Sequence, residues 1–172
     1  ILAERVQRYE GTITQYAGDG TMVLFGAPVA QEDHAARGAH AALDIQAALA
    51  DYGAEVESRL DVTFRMRIGL STGLVVVGQI GDDARMGYTA LGDTVNLAAR
   101  LEQIAEPGQI YASESARRGA GESFEWVELG PRPLRGYEVD ALTDWQFTRQ
   151  EVRPGITGLW QILGRSEIAW SE

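Results

Sequence analysis

An aspartate between two glycines is the first feature of this sequence that could do chemistry. The stretch TQYAGDGTMVLFGAP predicts two short strands around Gly18, Asp19 and Gly20, and the Asp-Gly pair favours a hairpin. Side chains two apart on a strand share a face, so Gln15 and Asp19 would point the same way. A carboxylate with glycines on both sides suits a hard cation such as Mg²⁺, which completes its shell with water and phosphate oxygens. The alternative is a turn aspartate that bonds its own backbone.

A second stretch places an amide and a guanidinium at neighbouring positions of a helix. DTVNLAARLEQIAEPG predicts a helix that Asp93 caps and Pro107 ends. Asn96 and Arg100 are four residues apart and therefore adjacent on one helix face. Such a pair can hold a ribose oxygen and a phosphate, and Arg suits a phosphoryl group whose charge grows in the transition state. The alternative is a solvated polar face.

The order of the predicted elements gives the fold class that must position these residues. A helix end is followed by the hairpin, a helix over residues 31–52, two strands, the helix of Asn96, a strand, a short helix and further strands. This order is typical of an α+β domain with helices packed on a mostly antiparallel sheet. From about residue 150 the sequence has no clear period, which indicates a linker or the beginning of another segment.

Composition excludes several function classes. The 172 residues fit one domain, and the net charge of −10 argues against broad nucleic-acid binding. There is no cysteine, so disulfides and thiolate chemistry are excluded and a cytoplasmic location is the default. No apolar run approaches the ~18 residues of a membrane span. Both histidines, His34 and His40, are predicted to lie on the surface.

Together these stretches resemble the class III nucleotidyl cyclase catalytic domain. YAGDGTMVLFGAP and GYTALGDTVNLAARLE carry the resemblance, and RMRIGLSTGLVVVGQIG, PGQIYAS and LGPRPLRGY follow the family's order and spacing. The resemblance covers residues 1–148. It implies a ferredoxin-like or palm-type, mostly antiparallel sheet with helices packed on it, incomplete at its N-terminus.

The resemblance also implies a reaction and the residues that perform it. The 3′-hydroxyl of a nucleoside triphosphate attacks its own α-phosphate and pyrophosphate leaves, with two Mg²⁺ or Mn²⁺ ions at the site. Asp19 matches the second of two metal-binding aspartates, Asn96 the residue that orients the ribose, and Arg100 the residue that steadies the α-phosphate. The family takes the carboxylates from one subunit and the Asn/Arg helix from the other, which implies a homodimer.

Three further positions bear on which nucleotide is used. Gln15 and Thr89 match the pair that contacts the purine edge, and Arg135 falls where a basic residue is expected near the terminal phosphates. Thr89 suits adenine because its hydroxyl can donate or accept a hydrogen bond. Gln15 can do both as well, so it does not clearly reject guanine. The resemblance therefore favours ATP and leaves GTP open.

Two departures from the family's pattern affect the expected activity. The first metal aspartate should lie on a strand before Ile1, so we expect weak metal binding, poor catalysis and a sheet short of a central strand. A non-catalytic nucleotide-binding or dimerisation module is the alternative. The end of the chain, VRPGITGLWQILGRSEIAWSE, resembles a segment of bacterial sugar transferases (phosphoglycosyl transferases). Residues 149–172 are thus predicted to be a linker, or the start of a transferase segment fused to a cyclase fragment.

Overall fold

The protein is an α+β structure, as the order of the elements predicts. The computed structural model describes residues 1–17, 20–80, 87–131, 143–149 and 160–170, with the backbone alone at 15–17, 79–80, 87–89, 131, 143–149 and 160–170. The helices are α1 Leu2–Arg8, α2 His34–Leu60, α3 Asp93–Ile104 and α4 Glu114–Ala120. The strands are β1 Thr12–Ala17, β2 Gly20–Phe25, β3 Val62–Thr72, β4 Val76–Ile80, β5 Gly87–Leu91, β6 Ile110–Ala112, β7 Phe124–Pro131, β8 Thr143–Arg149 and β9 Trp160–Trp170.

Seven of these strands form one mostly antiparallel sheet. Its order is β1-β2-β9-β3-β6-β8-β7, while β4 and β5 form a separate two-stranded ribbon. The pair β3–β6 is parallel, and the other described pairs are antiparallel. The mostly antiparallel sheet expected from the sequence is therefore confirmed.

A strand from the C-terminal end of the chain lies in the middle of this sheet. β9 pairs antiparallel with β2 on one side and with β3 on the other. The sheet therefore has a central strand where the sequence analysis expected one to be lacking. The boundary placed at residue 148 stays a prediction.

One face of the sheet is covered by the long helix α2. Its alanines at 35, 39 and 42 are fully buried, and side chains this small let the helix backbone approach the strands closely. α2 ends at Leu60, beyond the predicted end at residue 52, where Asp61 adopts the left-handed conformation with φ 54°. The core on this face also contains Val6, Val23, Phe25, Ile45, Leu49, Met66, Ile68, Leu70, Ile110, Ala116 and Phe124.

The opposite face of the sheet is covered by α3. Strand residues alternate between faces, so Met22 and Leu24 lie on this side while Val23 and Phe25 lie under α2. α3 also packs over Tyr111 through a second small apolar cluster. None of the helices within the described ranges is long and apolar enough to cross a bilayer.

Candidate functional site

The start of α3 is fixed by a glycine and a threonine. Gly92 is the N-cap, with φ 145°, so the prediction that Asp93 caps the helix is wrong and Asp93 is the first helical residue. The carbonyl of Gly92 accepts the amide of Asn96 at 3.2 Å. The hydroxyl of Thr94 donates to the carbonyl of Leu74 at 2.9 Å, which ties the helix to the segment before β4. Sequence analysis missed Thr94, since a threonine inside a helix gives no distinctive signal.

The body of α3 is held tightly against β3. Ala98 and Leu101 are fully buried, and Glu102 is 3% exposed. Gly69 of β3 allows this contact, because a Cβ at that position would collide with the carbonyl oxygen of Ala98 and the amide of Glu102. The orientation of the helix is therefore fixed by close backbone packing, and no pattern in the sequence singles out Gly69.

This packing leaves the predicted polar pair at the accessible side of the helix. Asn96 is exposed and Arg100 is half-buried one turn later. On β3 beneath the end of α3, Arg67 donates from Nη1 to the carbonyl of Gln103 at 3.3 Å. The helix thus presents an amide and a guanidinium on one face, with a further cation close to its C-terminal turn.

The strands that carry two other predicted residues lie close to α3 through a shared apolar cluster. The cluster joins β2, β4, β5 and α3 through Met22, Leu24, Val77, Ala90 and Val95. Gln15 pairs with Met22 in the register of β1 and β2, and Thr89 directly precedes Ala90 in β5. The elements that carry Gln15, Thr89 and Asn96 therefore converge on one side of the sheet.

The remaining predicted residues lie outside the described part of the chain. Asp19 and Arg135 fall in the ranges 18–19 and 132–142, and at Gln15 and Thr89 the description ends at the backbone. Within the described ranges, no group of three or more acidic or histidine side chains is placed to hold a metal ion. The described side chains do not by themselves form a divalent-cation site, and Asp19, the carboxylate that the resemblance assigns to a metal ion, lies outside them.

The displaced pKa values of the described residues belong to α2 and α4 rather than to α3. Burial lowers the pKa of His34 to about 4, against the opposing charge of Asp33. His34 is 3% exposed, so its predicted surface position is wrong. Its Nδ1 lies 2.5 Å from the carbonyl oxygen of Gln31, and its Nε2 has no partner among the described residues. In α4, hydrogen bonds from Arg117 and then Arg118 hold the pKa of Glu114 at about 2.

A cavity of about 340 Å³ lies on the other side of the molecule from this site. It opens between α2, β3 and the turn at residues 107–109, with Leu49, Gly53 and Met66 in its lining. The residues around it include the acidic Glu57 and the basic Arg65. Its lining contains none of the residues that the sequence assigns to nucleotide binding. We therefore place the candidate site at α3, where an amide and a guanidinium are available to a ribose and a phosphate, and not at this cavity.

Fold and site together define the class of protein. A mostly antiparallel sheet with helices on both faces, and a helix that presents an amide and an arginine, are the arrangement expected of a nucleotidyl cyclase domain. The family model described as "Adenylate and Guanylate cyclase catalytic domain" matches residues 4–148. The chain belongs to this family.

Individual relatives agree with this assignment. "Adenylate cyclase 1" of Rhizobium meliloti is 39% identical over 138 residues, 79% of this chain and 21% of that protein. The crystal structure of the guanylyl cyclase Cya2 is 33% identical, with a TM-score of 0.76 over 87% of this chain and 76% of that one. The adenylyl cyclase CyaB from P. aeruginosa is 26% identical, with a TM-score of 0.79 over 87% and 78%. The chain spans between 21% and 25% of the length of the first curated relatives.

Proposed function

We propose that this chain is an adenylate cyclase domain that converts ATP to cyclic AMP and pyrophosphate in cyclic-nucleotide signalling. The observation that carries the proposal is the apolar cluster that joins β2, β5 and α3, because it brings the elements of Gln15, Thr89 and Asn96 to one side of the sheet. A purine contacted by the strands would place its ribose and phosphates along α3.

Each residue then has a distinct part in the reaction. Asn96 donates to and accepts from the ribose, which fixes the 3′-hydroxyl for attack on the α-phosphate. Arg100 stabilises the charge that grows on that phosphate, and Arg135 binds the terminal phosphates that leave. Mg²⁺ or Mn²⁺ held by the Asp19 carboxylate would favour ionisation of the hydroxyl and neutralise the leaving phosphates.

The same proposal places the site at the interface of a homodimer. Apolar side chains project from the ribbon of β4 and β5 and the turn before it: Leu74 is 92% exposed, Val76 72% and Leu91 64%. Clustered exposed apolar side chains are typical of an interaction surface. A second copy of this chain is the occupant that fits, since the reaction needs the Asp19 hairpin of one subunit to meet α3 of the other.

The choice of ATP over GTP rests on two residues. Thr89 suits the exocyclic amine and ring nitrogen of adenine, whereas Gln15 accommodates either purine. The relatives named above include both an adenylate and a guanylyl cyclase, so they do not separate the two substrates. Replacing Thr89 with Val removes the hydrogen-bonding hydroxyl at similar size. We expect it to raise KM for ATP more than KM for GTP, and equal changes in both would contradict the role of Thr89.

The direct test is turnover by the whole chain. Incubation with ATP or GTP and Mn²⁺ should give cyclic nucleotide at a low rate, because Asp19 is the one metal-binding aspartate matched in this sequence, and Arg100→Ala should lower that rate further by ~10²–10³. Gln103→Ala is the matched control, because Gln103 is an exposed residue of the same helix. Binding of a fluorescent ATP analogue, measured in parallel, separates two outcomes. Binding without turnover would support the non-catalytic nucleotide-binding alternative, whereas turnover unchanged in Arg100→Ala would overturn the assigned site.

A further inference from the structure

The N-terminus of α3 lacks the side-chain cap that the following helix has. At α4 the hydroxyl of Ser113 accepts the amide of Ala116. At α3 the N-cap is Gly92, which has no side chain to accept an amide. A helix start without a capping side chain frays more readily, because its first amides have no partner within the helix. Asn96 is the fourth residue of α3, so its position depends on whether this first turn stays closed.

A threonine in that first turn supplies a different attachment. The hydroxyl of Thr94 donates to the carbonyl oxygen of Leu74 at 2.9 Å. This bond ties the first turn of α3 to residues 73–75, the segment between β3 and β4. The amide of Asn96 closes the same turn by donating to the carbonyl oxygen of Gly92 at 3.2 Å. The attachment at Thr94 therefore acts on the turn that carries Asn96.

Two glycines let the chain come close enough for this hydrogen bond. A Cβ at Gly73 would lie 2.5 Å from Oγ1 of Thr94, which is too close for the two atoms to coexist without a shift. A Cβ at Gly92 would lie 3.2 Å from the carbonyl oxygen of Leu74, and the φ of 145° at Gly92 also favours glycine. We call the set Gly73, Leu74, Gly92 and Thr94 the α3 clasp.

Burial does little to hold the segment that the α3 clasp attaches. Leu74 is 92% exposed, and Gly73 is exposed as well. Near this end of α3, Val95 and the ribbon residue Val77 pack against a small apolar cluster. Apolar packing is not directional, whereas a hydrogen bond constrains both distance and angle. The hydrogen bond of Thr94 is therefore the contact suited to set the position of the first turn.

We propose that Thr94 is a positioning residue of the nucleotide site, whose hydroxyl holds the first turn of α3 and thereby the side chain of Asn96. The inference rests on the proposed function, in which Asn96 orients the ribose. Thr94 acts through Asn96 and touches no reacting atom. Loss of one neutral hydrogen bond at this point should weaken nucleotide binding by about threefold to tenfold.

Two substitutions separate the hydroxyl of Thr94 from its shape. Thr94→Val keeps the branched shape and removes the donor, so the whole chain with Mn²⁺ should bind a fluorescent ATP analogue about threefold to tenfold more weakly. Thr94→Ser keeps the donor and should bind like the parent. Thr63→Val is the matched control, because the hydroxyl of Thr63 donates to Glu57 at the opposite end of β3. Equal losses in Thr94→Val and Thr94→Ser would assign the effect to packing and overturn the proposal.

Amide exchange reports on the first turn without any nucleotide. Exchange at Val95 and Asn96 should accelerate in Thr94→Val and stay at the parent rate in Thr94→Ser, while the amides of β3 stay protected in both. That pattern distinguishes local fraying from unfolding. Parent-like exchange at Asn96 in Thr94→Val would show that the hydroxyl does not hold the turn, and would overturn the proposal.

Gly73 gives an independent test of the same contact. Gly73→Ala displaces the Thr94 hydroxyl, so it should weaken binding by the same factor as Thr94→Ala. When Gly73→Ala is combined with Thr94→Ala, the added methyl no longer meets Oγ1, and the double variant should bind like either single one. Losses that multiply in the double variant would reveal two independent effects and overturn the role of the α3 clasp.

The outcomes distinguish this inference from the proposed function. A parent chain that binds ATP while Thr94→Val binds it equally well would overturn the inference alone. A parent chain that binds neither ATP nor GTP would overturn the proposed function, and the role given to Thr94 with it.

Discussion

The two faces of the sheet differ in what they bury. The α2 face holds a continuous apolar cluster in which Phe25, Ala39, Ile45, Ile68 and Leu70 are fully buried. The α3 face holds two smaller apolar clusters. On the outer side of α3, Asn96 is exposed and Arg100 is half-buried. Because the first face buries the larger apolar core, we expect it to supply most of the stability, whereas the second face has a smaller core beneath its polar groups. Substitutions on the α2 face should therefore change the free energy of unfolding, whereas substitutions on the α3 face should change the catalytic rate.

The largest expected effect is a loss of stability on the α2 face. Phe25→Ala should lower the free energy of unfolding by about 3–5 kcal/mol, because it removes a fully buried aromatic ring and leaves a cavity. Denaturant titration followed by circular dichroism measures it. Asn96→Ala on the exposed side of α3 is the comparison variant and should change stability by no more than about 0.5 kcal/mol. Equal destabilisation by both would end the distinction between the faces.

The next effect is a loss of activity without a loss of stability. Arg100→Ala should reduce cyclic-nucleotide formation by ~10²–10³, because it removes the cation that stabilises the reacting phosphate. Its unfolding midpoint should stay close to that of the parent, since the side chain is only half-buried. A large drop in the midpoint would mean that the arginine contributes to folding rather than to the site.

A smaller effect depends on pH and again belongs to the α2 face. Burial lowers the pKa of His34 to about 4, so below pH 6.5 the unfolded chain takes up a proton that the folded chain resists. The free energy of unfolding should therefore fall as pH drops from 6.5 to 4, by up to about 1.4 kcal/mol per unit. His34→Asn should flatten that slope in urea titrations across this range. If the slope in His34→Asn is as steep as in the parent, the pH dependence of the free energy of unfolding comes from other titratable groups.

The smallest effect concerns the cap of α4. The buried hydroxyl of Ser113 accepts the amide of Ala116 at 3.2 Å, so Ser113→Ala should cost about 1 kcal/mol of stability. Ser58→Ala, in an exposed part of α2, is the matched control and should stay within about 0.5 kcal/mol. Thermal unfolding of the two variants measures the difference. Equal midpoints for Ser113→Ala and Ser58→Ala would mean that the cap does not stabilise α4.

Parts of this architecture that depend on local sequence were predictable, and parts that depend on distant contacts were not. The helix of Asn96 and Arg100 was found because its period and its Pro-Gly ending are local signals. The last turns of α2 were missed because their sequence, DYGAEVESRL, is polar and lacks a clear apolar stripe. β9 has no clear period because α2 contacts it on one face of the sheet and α3 on the other, so alternation between core and solvent does not mark it.

The candidate site shows the same division. The spacing of Asn96 and Arg100 within a helical pattern was enough to predict that both lie on one face of α3. The burial of His34, the cap at Gly92 and the close approach at Gly69 depend on backbone geometry that forms only when the sheet is assembled.

The most direct test of the central claim is to map the amides that respond when ATP is added to the isotope-labelled chain. If the α3 face binds the nucleotide, NMR shift changes should concentrate at Asn96 to Arg100 and at the backbone of Gln15 and Thr89. Changes confined to α2 and the lining of the cavity at Leu49 and Gly53 would place the nucleotide on the other face and contradict the account.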